Sequence, residues 1–463
     1  FQVVNPIFLT IAKYIIHQHE HLLLDDCSFE TKVIYQILRL RTFFHHQRSL
    51  SSFSPKLREQ ILSVCNSLTD SITSSTSLGA FEIILILFEI ISALLYYRLE
   101  SLSRNALDLV SKYSGISVSW TGVSGRRLIH QKEKISLLSI IISKERQQGN
   151  VLPMLYENEN QNIPKVIPLS AIGDQDKYLE LDDIDELDAV HSRQSYFDVF
   201  IENAFLLSNF YLLLISVPDS PIRNEQLSTL ANSIITNSVK SESSKSTINW
   251  SVFSTALSVR SVWVENKGLK AVRSCLQLEA LISQISSPLQ EDESVSQRLC
   301  LCWCIPGLFS AVDLKRSYGR LLAQLGAPLS AYEVYYKLGD MPLAIKALVS
   351  ASQYDQAISS LLDLLKKDIS LSNRLPLLCL LGDLKDGDVS LYEEAWELSN
   401  HRYAAAKRSL GFTYQKKGHF HLAIDAFKIS LKISPLFASV WFYLGCCYIK
   451  VNDYDGALMA FRR

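Results

Sequence analysis

The sequence contains little glycine or proline and almost no net charge. Its 463 residues include only 17 Gly and 13 Pro, and this scarcity of helix-breaking residues favours long helices over a strand-rich fold. The 46 Lys and Arg residues nearly balance the 47 Asp and Glu residues, which leaves a formal net charge of −1. A chain without an excess charge has no global attraction for nucleic acid or anionic membranes, so we expect no direct nucleic-acid binding. Any electrostatic recognition must be local.

The sequence also lacks the motifs of catalysis and cofactor binding. It contains no glycine-rich phosphate loop, no nucleophile elbow and no Ser/His/Asp arrangement of useful spacing. The acidic run between Asp174 and Asp188 is predicted to be solvated rather than to form a paired acid and base. We therefore predict a protein that is not an enzyme, with no catalytic residue and no cofactor.

One apolar segment could be taken for a membrane span, but its length and charges argue against that. The segment from Ile83 to Tyr97 is almost wholly apolar, but it is shorter than the roughly 20 residues that a bilayer requires. Glu89 lies in its middle, with Glu82 and Arg98 on either side. Because charged residues in a span are costly, we predict a helix buried in a bundle or solenoid and no stable membrane insertion. A membrane helix is the alternative.

The cysteines show no disulfide or zinc framework. Nine of them are scattered through the chain, which indicates a reducing compartment with buried thiols. Cys300, Cys302 and Cys304 flank Trp303, but the second half of a Cys-x-x-Cys zinc site is missing. We predict that this strip packs at the start of the repeats, with a metal site as the alternative.

Two groups of histidines are candidate metal ligands. His17 and His21 would lie one helical turn apart with His19 between them, a spacing seen in some zinc sites. No third ligand has a clear position, and the pair His45 and His46 is a weaker candidate still. Exposed helix histidines are the favoured interpretation, so we predict no metal site.

Five residue types recur near the C-terminus at a spacing of 34 residues. Leu410, Gly411, Tyr414, Ala423 and Phe427 are followed in the same order by Leu444, Gly445, Tyr448, Ala457 and Phe461. This is the tetratricopeptide (TPR) spacing, with Pro435 between the units and Trp441 in support. Each unit is expected to form two helices that cross closely at the small residues, while Tyr414 and Phe427 fill the gaps to the next unit.

Weaker units precede this pair, and together the units predict an all-α fold. Gly319 and Ala331 fit one unit, Ala357 marks a second whose first helix starts near Met341, and Ala395 marks a third. The predicted architecture is an N-terminal helical domain followed by a right-handed TPR superhelix. The chain begins with Phe1 and ends at position 26 of a unit, so we expect it to be cut at both ends.

Changes in composition divide the chain into six predicted regions. These are an N-terminal helical domain at 1–148 with a turn at 121–125, a Pro/Asn-rich and acidic loop or insertion at 149–190, a continuation of the helical domain at 191–235, a Ser-rich linker at 236–249, a helical pair at 250–310 and TPR repeats at 311–463.

Several stretches resemble the tetratricopeptide repeat protein 27 family, whose fungal members are named for maintenance of the cell wall. They include Cys379 to Asp383, Tyr392 to Ser399 and Val440 to Cys446, and the resemblance covers roughly residues 250 to 463. It implies a non-enzymatic scaffold of the cytoplasm and nucleus that takes part in assembly of a spliceosomal small ribonucleoprotein. The alternative is an adaptor in membrane trafficking or cell-wall maintenance.

The first helix of each TPR unit supplies the predicted partner-binding groove. Counting along these helices selects six basic and two aromatic side chains: Arg316, Arg320, Lys346, Arg408, Phe412, Lys416, Phe442 and Lys450. A locally basic groove with aromatic patches fits acidic or extended segments of other proteins. The clamp that holds chaperone carboxylate tails needs Lys, Asn and Asn where this chain has Arg408, Phe412 and Tyr443, so we predict no such clamp.

Overall fold

The chain folds into two compact units, Phe1–Leu321 and Leu322–Arg463. The computed structural model describes residues 6–18, 28–50, 53–74, 78–125, 132, 135–144, 164–168, 196–240, 249–268, 270–286, 299, 301–367 and 371–463. Among these residues, the regular structure of both units is helical apart from one β-hairpin in the first. The predicted all-α class is therefore confirmed.

The first unit contains nine helices and the hairpin among its described residues. Their bounds are α1 Pro6–Gln18, α2 Phe29–Ser49, α3 Pro55–Ser74, α4 Ala80–Tyr96, α5 Glu100–Ser114, β1 Ile116–Gly125, β2 Ile135–Lys144, α6 Tyr196–Ser216, α7 Pro221–Lys240, α8 Trp250–Val259 and α9 Lys270–Ser286. A π-helical turn at Arg260–Val264 extends α8. Helices α8 and α9 fall within the region 250–310, where the sequence predicts a helical pair, and both belong to this first unit.

Helix α4 forms the centre of the first unit's core. Twelve of its residues between Ile83 and Leu95 are buried, among them Leu87 and Phe88 with no exposed surface. A helix that is apolar on every side must be covered on every side, because its surface cannot face water cheaply. The prediction of a buried helix is confirmed.

The charge within α4 is neutralised by an ion pair. Arg41 of α2 donates from Nε and Nη2 to the two carboxylate oxygens of Glu89, at 2.9 and 2.5 Å. This bidentate hydrogen bond raises the pKa of the Arg41 guanidinium. A buried carboxylate is tolerated when it is paired in this way, which explains how Glu89 fits in an otherwise apolar helix.

Helix α6, rather than α4, has the length and composition of a membrane span. Its residues Val199–Ser216 have a mean hydropathy of 1.6, and 67% of that stretch is buried within the protein. Core helices pass the same test, and Phe200, Leu207 and Phe210 are each at most 1% exposed. The burial accounts for the apolar sequence of α6 without a bilayer.

The hairpin corrects the sequence prediction for residues 116–125. A turn was expected at Thr121–Gly125, but these residues belong to β1, which pairs antiparallel with β2 so that Ile116 faces Lys144. Alternation explains the strand: Ile116 is buried and Val118 half-buried, while Ser117 and Ser119 are exposed. Such a two-residue period is typical of a half-buried strand. The preceding helix ends at Gly115, whose φ of +69° suits glycine.

The predicted Ser-rich linker is partly helical. Residues 236–240 continue α7, and Ser238 is buried there. The rest of that linker up to residue 248 lies outside the described residues, as does the predicted loop at 149–190 except for 164–168. This short segment is held by α9, since Gln277 accepts from the amide of Ile167 at 2.9 Å and donates to the carbonyl of Lys165 at 2.8 Å.

The repeats begin with a helix that spans the boundary between the two units. The bounds are α10 Ala311–Gln324, α11 Pro328–Leu338, α12 Met341–Ser350, α13 Tyr354–Leu365, α14 Leu371–Leu384, α15 Val389–Leu398, α16 Ala404–Lys416, α17 Phe420–Ile433, α18 Ala438–Lys450 and α19 Tyr454–Arg462. The predicted helix start near Met341 is confirmed, and the second helix of that repeat begins at Tyr354. First helices start at 311, 341, 371, 404 and 438, so the early units are shorter than the last ones.

The core of the second unit is a series of small clusters, each shared by neighbouring helices. Ile345, Ala357 and Leu377 join α12, α13 and α14, and Leu378, Tyr392 and Leu410 join α14, α15 and α16. The next cluster joins α17, α18 and α19. Contacts limited to neighbours are the signature of a repeat array, in which units of unequal length can stack.

Candidate partner-binding face

The repeat glycines make room for an aromatic ring of the second helix in the same unit. A Cβ at Gly411 would lie 2.5 Å from Cε1 of Phe427, and one at Gly445 would lie 2.6 Å from Cε1 of Phe461. A Cβ at Gly382 would lie similarly close to the ring of Tyr392. Close helix crossing at these positions therefore depends on the absence of a side chain. The ring of Phe427 also belongs to the cluster shared with α18.

The other repeat positions fall into three levels of exposure. Six of them are buried, three aromatic ones are half-buried, and two are exposed. Buried are Gly319, Ala331, Leu410, Ala423, Leu444 and Ala457; half-buried are Tyr414, Trp441 and Tyr448; exposed are Pro435 and Phe461. Trp441 donates from its indole N–H to the carbonyl of Pro435 at 2.8 Å, and this bond holds the turn between α17 and α18.

A continuous series of ring contacts runs across the last two repeats. The Phe412 centroid lies 5.2 Å from that of Phe427 and 5.0 Å from that of Tyr443. Tyr443 lies 5.7 Å from Phe442, which lies 5.8 Å from Phe461. These distances suit edge-to-face and tilted aromatic packing. We call Phe412, Tyr443, Phe442 and Phe461 the aromatic row.

The outer part of the aromatic row is accessible. Phe442 is 56% exposed, Phe461 45% and Tyr443 39%, while Phe412 is half-buried between them and Phe427. Exposed aromatic side chains with fixed neighbours offer a large apolar contact area at low entropic cost. The row thus has the properties of an anchor site for a protein partner.

Arg408 lies on the same helix as Phe412 and already contacts an aromatic ring. Its guanidinium carbon lies 4.5 Å from the centroid of Phe437, the residue that precedes α18. Arg408 is half-buried and lies close enough to the Cys379 thiol to oppose the effect of burial, which raises the pKa of that thiol to about 12. A cation stacked on a ring keeps its outward N–H groups for an acceptor, so Arg408 is a positioned donor rather than a mobile charge.

The remaining predicted cations are exposed but are divided between the two units. Lys416 and Lys450 end α16 and α18, in equivalent positions, and Lys346 is exposed on α12. Arg316 and Arg320 are exposed on the part of α10 that belongs to the first unit. Of the predicted groove residues, Phe412 and Phe442 are linked through Tyr443, and Arg408 contacts Phe437. Lysines at helix C-termini also compensate the helix dipole, so their position serves solubility and stability as well.

Counting positions along first helices did not select Tyr443 and Phe437. Tyr443 directly follows Phe442 in the sequence and links it to Phe412. Phe437 precedes α18 and so lies outside any count made within the helix. The signal that was available is the density of aromatic residues between 437 and 443, where four of seven residues are Phe, Trp or Tyr.

Within the described residues, no group of three or more His, Cys, Asp or Glu side chains is arranged to hold a metal. Cys304 is buried and donates its S–H toward the carbonyl of Leu85 at 3.6 Å, in the first unit's core. Trp303 is contacted by the Arg41 guanidinium at 5.8 Å and by His45 at 6.3 Å. Cys300, His19 and His21 lie outside the described residues, as does the side chain of His17.

Comparison with known proteins confirms the resemblance suggested by the sequence. No family model matches the chain. A TPR repeat-containing protein of Schizosaccharomyces pombe is 26% identical over 92% of this chain and 54% of its own length. The tetratricopeptide repeat protein 27 homolog of Dictyostelium discoideum is 26% identical over 97% of this chain and 53% of its own length. The chain therefore spans about half the length of these curated relatives.

A third relative carries the cell-wall name. The Saccharomyces cerevisiae protein named essential for maintenance of the cell wall protein 1 is 24% identical over 68% of this chain and 33% of its own length.

Among solved structures, MamA matches 31% of this chain and 90% of its own at 23% identity and a TM-score of 0.26. The Cut9 and Hcn1 assembly of the APC/C matches 98% and 83% at 12% identity and a TM-score of 0.29. Such low TM-scores carry no argument about function.

Proposed function

We propose that this chain is a non-enzymatic helical-repeat scaffold that binds an extended segment of a partner protein on the aromatic row. The observation that carries the proposal is the exposure of three rings, Phe442, Tyr443 and Phe461, held in mutual contact on adjacent helices. Rings fixed by their neighbours lose little entropy when a partner covers them. Their exposed area is apolar, so covering it drives association.

The chemistry around the row defines the partner segment. Apolar or aromatic side chains would pack on the rings, and acidic side chains would meet the cations of the same two repeats, Arg408, Lys416 and Lys450. Because Lys416 and Lys450 are exposed, screening makes each of their contacts worth no more than about 1 kcal/mol. We therefore expect the rings to set the affinity and the cations to set a moderate salt dependence.

The test compares two exposed aromatic residues that lie in different repeats of the second compact unit. Phe442→Ala removes a ring of the row, whereas Tyr354→Ala removes a ring that is 51% exposed on α13, close to the 56% of Phe442. The intact chain, crosslinked in cells and purified, should lose a defined set of partners with Phe442→Ala and keep it with Tyr354→Ala. Equal partner sets for both variants would contradict the proposal.

The salt dependence separates the two parts of the proposal. A partner identified in this way should bind about tenfold more weakly with Phe442→Ala, which corresponds to about 1.4 kcal/mol. Raising salt should weaken wild-type binding, and this effect should shrink in the Lys416→Gln, Lys450→Gln double variant. An affinity that does not change with ionic strength would contradict the acidic character of the segment while leaving the aromatic anchor intact.

For the biological role we favour assembly of a spliceosomal small ribonucleoprotein in the cytoplasm and nucleus, as the family resemblance implies. Protein contacts, rather than direct contacts with RNA, would supply this role, since the net charge is only −1. Depletion of the protein followed by gradient sedimentation should show unassembled small nuclear RNA. Restoring the Phe442→Ala chain should fail where Tyr354→Ala succeeds.

The second candidate is an adaptor in membrane trafficking or cell-wall maintenance. The name of the S. cerevisiae relative favours it. Fractionation with a carbonate wash separates the candidates, because a peripheral adaptor starts in the membrane fraction and is released by carbonate. A protein found only in the supernatant before the wash would exclude the adaptor. In either role the absence of the Lys, Asn and Asn clamp residues argues against direct binding of chaperone tails through these repeats.

A further inference from the structure

The outward face of α17 in the second unit carries three large apolar side chains in a line. Leu422 is 50% exposed, Ile429 37% and Ile433 41%. At about 100° per residue, Ile429 lies about 20° to one side of Leu422 around the helix axis, and Ile433 lies about 20° to the other side. We call these three residues the α17 stripe. A line of exposed apolar side chains along a helix is typical of a face that packs on another surface.

The packing of the repeats does not account for the α17 stripe. The core side of α17 is formed by Ala423, Phe427 and Leu431, which are at most 5% exposed and belong to the cluster shared with α18 and α19. Leu436, three residues after Ile433, is 96% exposed and adds apolar area beyond the C-terminal end of α17. Covering this area removes apolar surface from water, which favours association.

Two opposite charges lie along one side of the α17 stripe. Asp425 and Lys432 are both exposed, and they lie about 60° and 80° round the helix from Leu422, both in the same direction. Lys428 lies further round, with its ammonium 5.5 Å from the centroid of the Tyr448 ring in the next repeat. The border of the stripe therefore has an acid toward its start and a base toward its end.

We propose that the α17 stripe is a homodimer interface, in which α17 packs antiparallel on α17 of a second copy of this chain. In such an isologous interface the same patch meets itself, so each residue lies opposite the residue that is equally far from the two-fold axis. The midpoint of Asp425 and Lys432 is position 428.5. The midpoint of Leu422 and Ile433 is position 427.5, and Ile429 lies beside both midpoints. One two-fold axis near residue 428 therefore pairs acid with base and apolar with apolar.

The antiparallel direction follows from the side on which the charges lie. When two antiparallel helices meet face to face, the two-fold axis lies in the plane between them and perpendicular to both, so the charged side of one helix meets the charged side of the other. Asp425 of each copy then lies opposite Lys432 of the other, which gives two equivalent ion pairs beside the apolar contact. A parallel pairing would place each charged side against the uncharged side of the second copy and would leave both charges without a partner.

This interface is small and shares no residue with the aromatic row. One helix face covers less than the roughly 1,200 Å² of a standard protein interface, so we expect a dissociation constant on the order of 10 µM. Sedimentation velocity of the intact 463-residue chain measures this constant. We expect a monomer at about 1 µM and a dimer at about 100 µM. A chain that is still monomeric at the higher concentration would overturn the proposal.

Two aspartate substitutions test the location of the interface. Ile429→Asp places two carboxylates close together at the two-fold axis, so it should weaken the dimer about tenfold or more. Leu362→Asp changes a side chain of α13 that is 39% exposed, close to the 37% of Ile429, and should change the dissociation constant less than about twofold. Equal weakening by the two substitutions would overturn the assignment of the interface to α17.

A charge exchange tests the antiparallel register. Asp425→Lys alone and Lys432→Asp alone each turn both ion pairs into like-charge pairs, so each should weaken the dimer about tenfold, which corresponds to about 1.4 kcal/mol. The double variant Asp425→Lys, Lys432→Asp restores two opposite-charge pairs and should dimerise within about threefold of the wild type. Because both positions are exposed, these substitutions should not disturb folding. A double variant that dimerises no better than the single variants would overturn the antiparallel pairing.

Discussion

The pair of repeat glycines allows a quantitative test of helix crossing in the second unit. In an exposed helix, Gly→Ala stabilises the helix by about 1 kcal/mol. At Gly411 the new Cβ would lie 2.5, 2.6 and 3.0 Å from three atoms of the Phe427 ring, and that ring has no exposed surface. Overpacking of this kind costs about 1–3 kcal/mol. Because these contacts are this short and the Phe427 ring is fully buried, we take the upper part of that range, about 2–3 kcal/mol, so after the helix gain Gly411→Ala should destabilise α16 and α17 by about 1–2 kcal/mol.

Gly445 is the matched control because it occupies the same repeat position. A Cβ there would lie 2.6, 2.6 and 3.0 Å from the Phe461 ring, almost the same distances. The Phe461 ring, however, is 45% exposed, so a small shift that keeps its contact with Phe442 meets less resistance than a shift of the fully buried Phe427 ring. The clash is then relieved while the helix gain remains, so Gly445→Ala should change the stability of α18 and α19 by less than about 1 kcal/mol.

The assay is hydrogen exchange read by mass spectrometry on peptides from each helix. Global unfolding is a poor reporter because a repeat array need not unfold as a single unit, whereas exchange reports the opening free energy of each segment. Gly411→Ala should speed exchange in α16 and α17 about fivefold or more. The double variant Gly411→Ala, Phe427→Leu should recover part of the loss, since the shorter side chain frees space.

The result that would refute this reasoning is slower exchange in α16 and α17 with Gly411→Ala. Such a result would mean that the helix gain exceeds the clash, and the close approach of Gly411 to Phe427 would not limit the packing. Additive costs in the double variant would also count against the clash, because residues in direct contact should be coupled.

Two further predictions concern the first unit's buried charges and the thiols. Glu265→Ala should destabilise α8 and α9 by about 3–5 kcal/mol, because Glu265 accepts from Arg273 and lies 3.9 Å from Arg260, and all three side chains are at most 7% exposed. The control Asp219→Ala breaks an ion pair whose carboxylate is 67% exposed, so it should cost less than about 1 kcal/mol. Hydrogen exchange that shows equal losses of stability for the two variants would contradict this prediction. Burial raises the pKa of Cys447 to about 11, so iodoacetamide at pH 8 should label its half-exposed neighbour Cys446 first, and mass spectrometry should find equal labelling only after denaturation.

The fold of the repeats could be predicted from the sequence because the pattern and the packing use the same residues. Ala357 and Ala395 are small where helices meet, and both are fully buried. The hairpin was missed for a different reason. The turn was predicted at Thr121–Gly125, and the alternation of Ser117 and Ser119 with the inward-facing Ile116 and Val118 was not used. Only the position of the serines, and not their number, distinguishes a half-buried strand from a loop.

The candidate site was harder to predict than the fold because binding faces combine residues from different elements. Counting along first helices found Phe412 and Phe442, but Tyr443 joins them across the helix boundary. Counting also selected Arg408, but not Phe437, which contacts the Arg408 guanidinium from the turn before α18. A repeat frame gives the direction of each side chain within its own helix, while the neighbours that engage it come from the adjacent unit. The position along a helix therefore selects the candidate residues, and contacts between neighbouring repeats decide which of these residues can act as anchors.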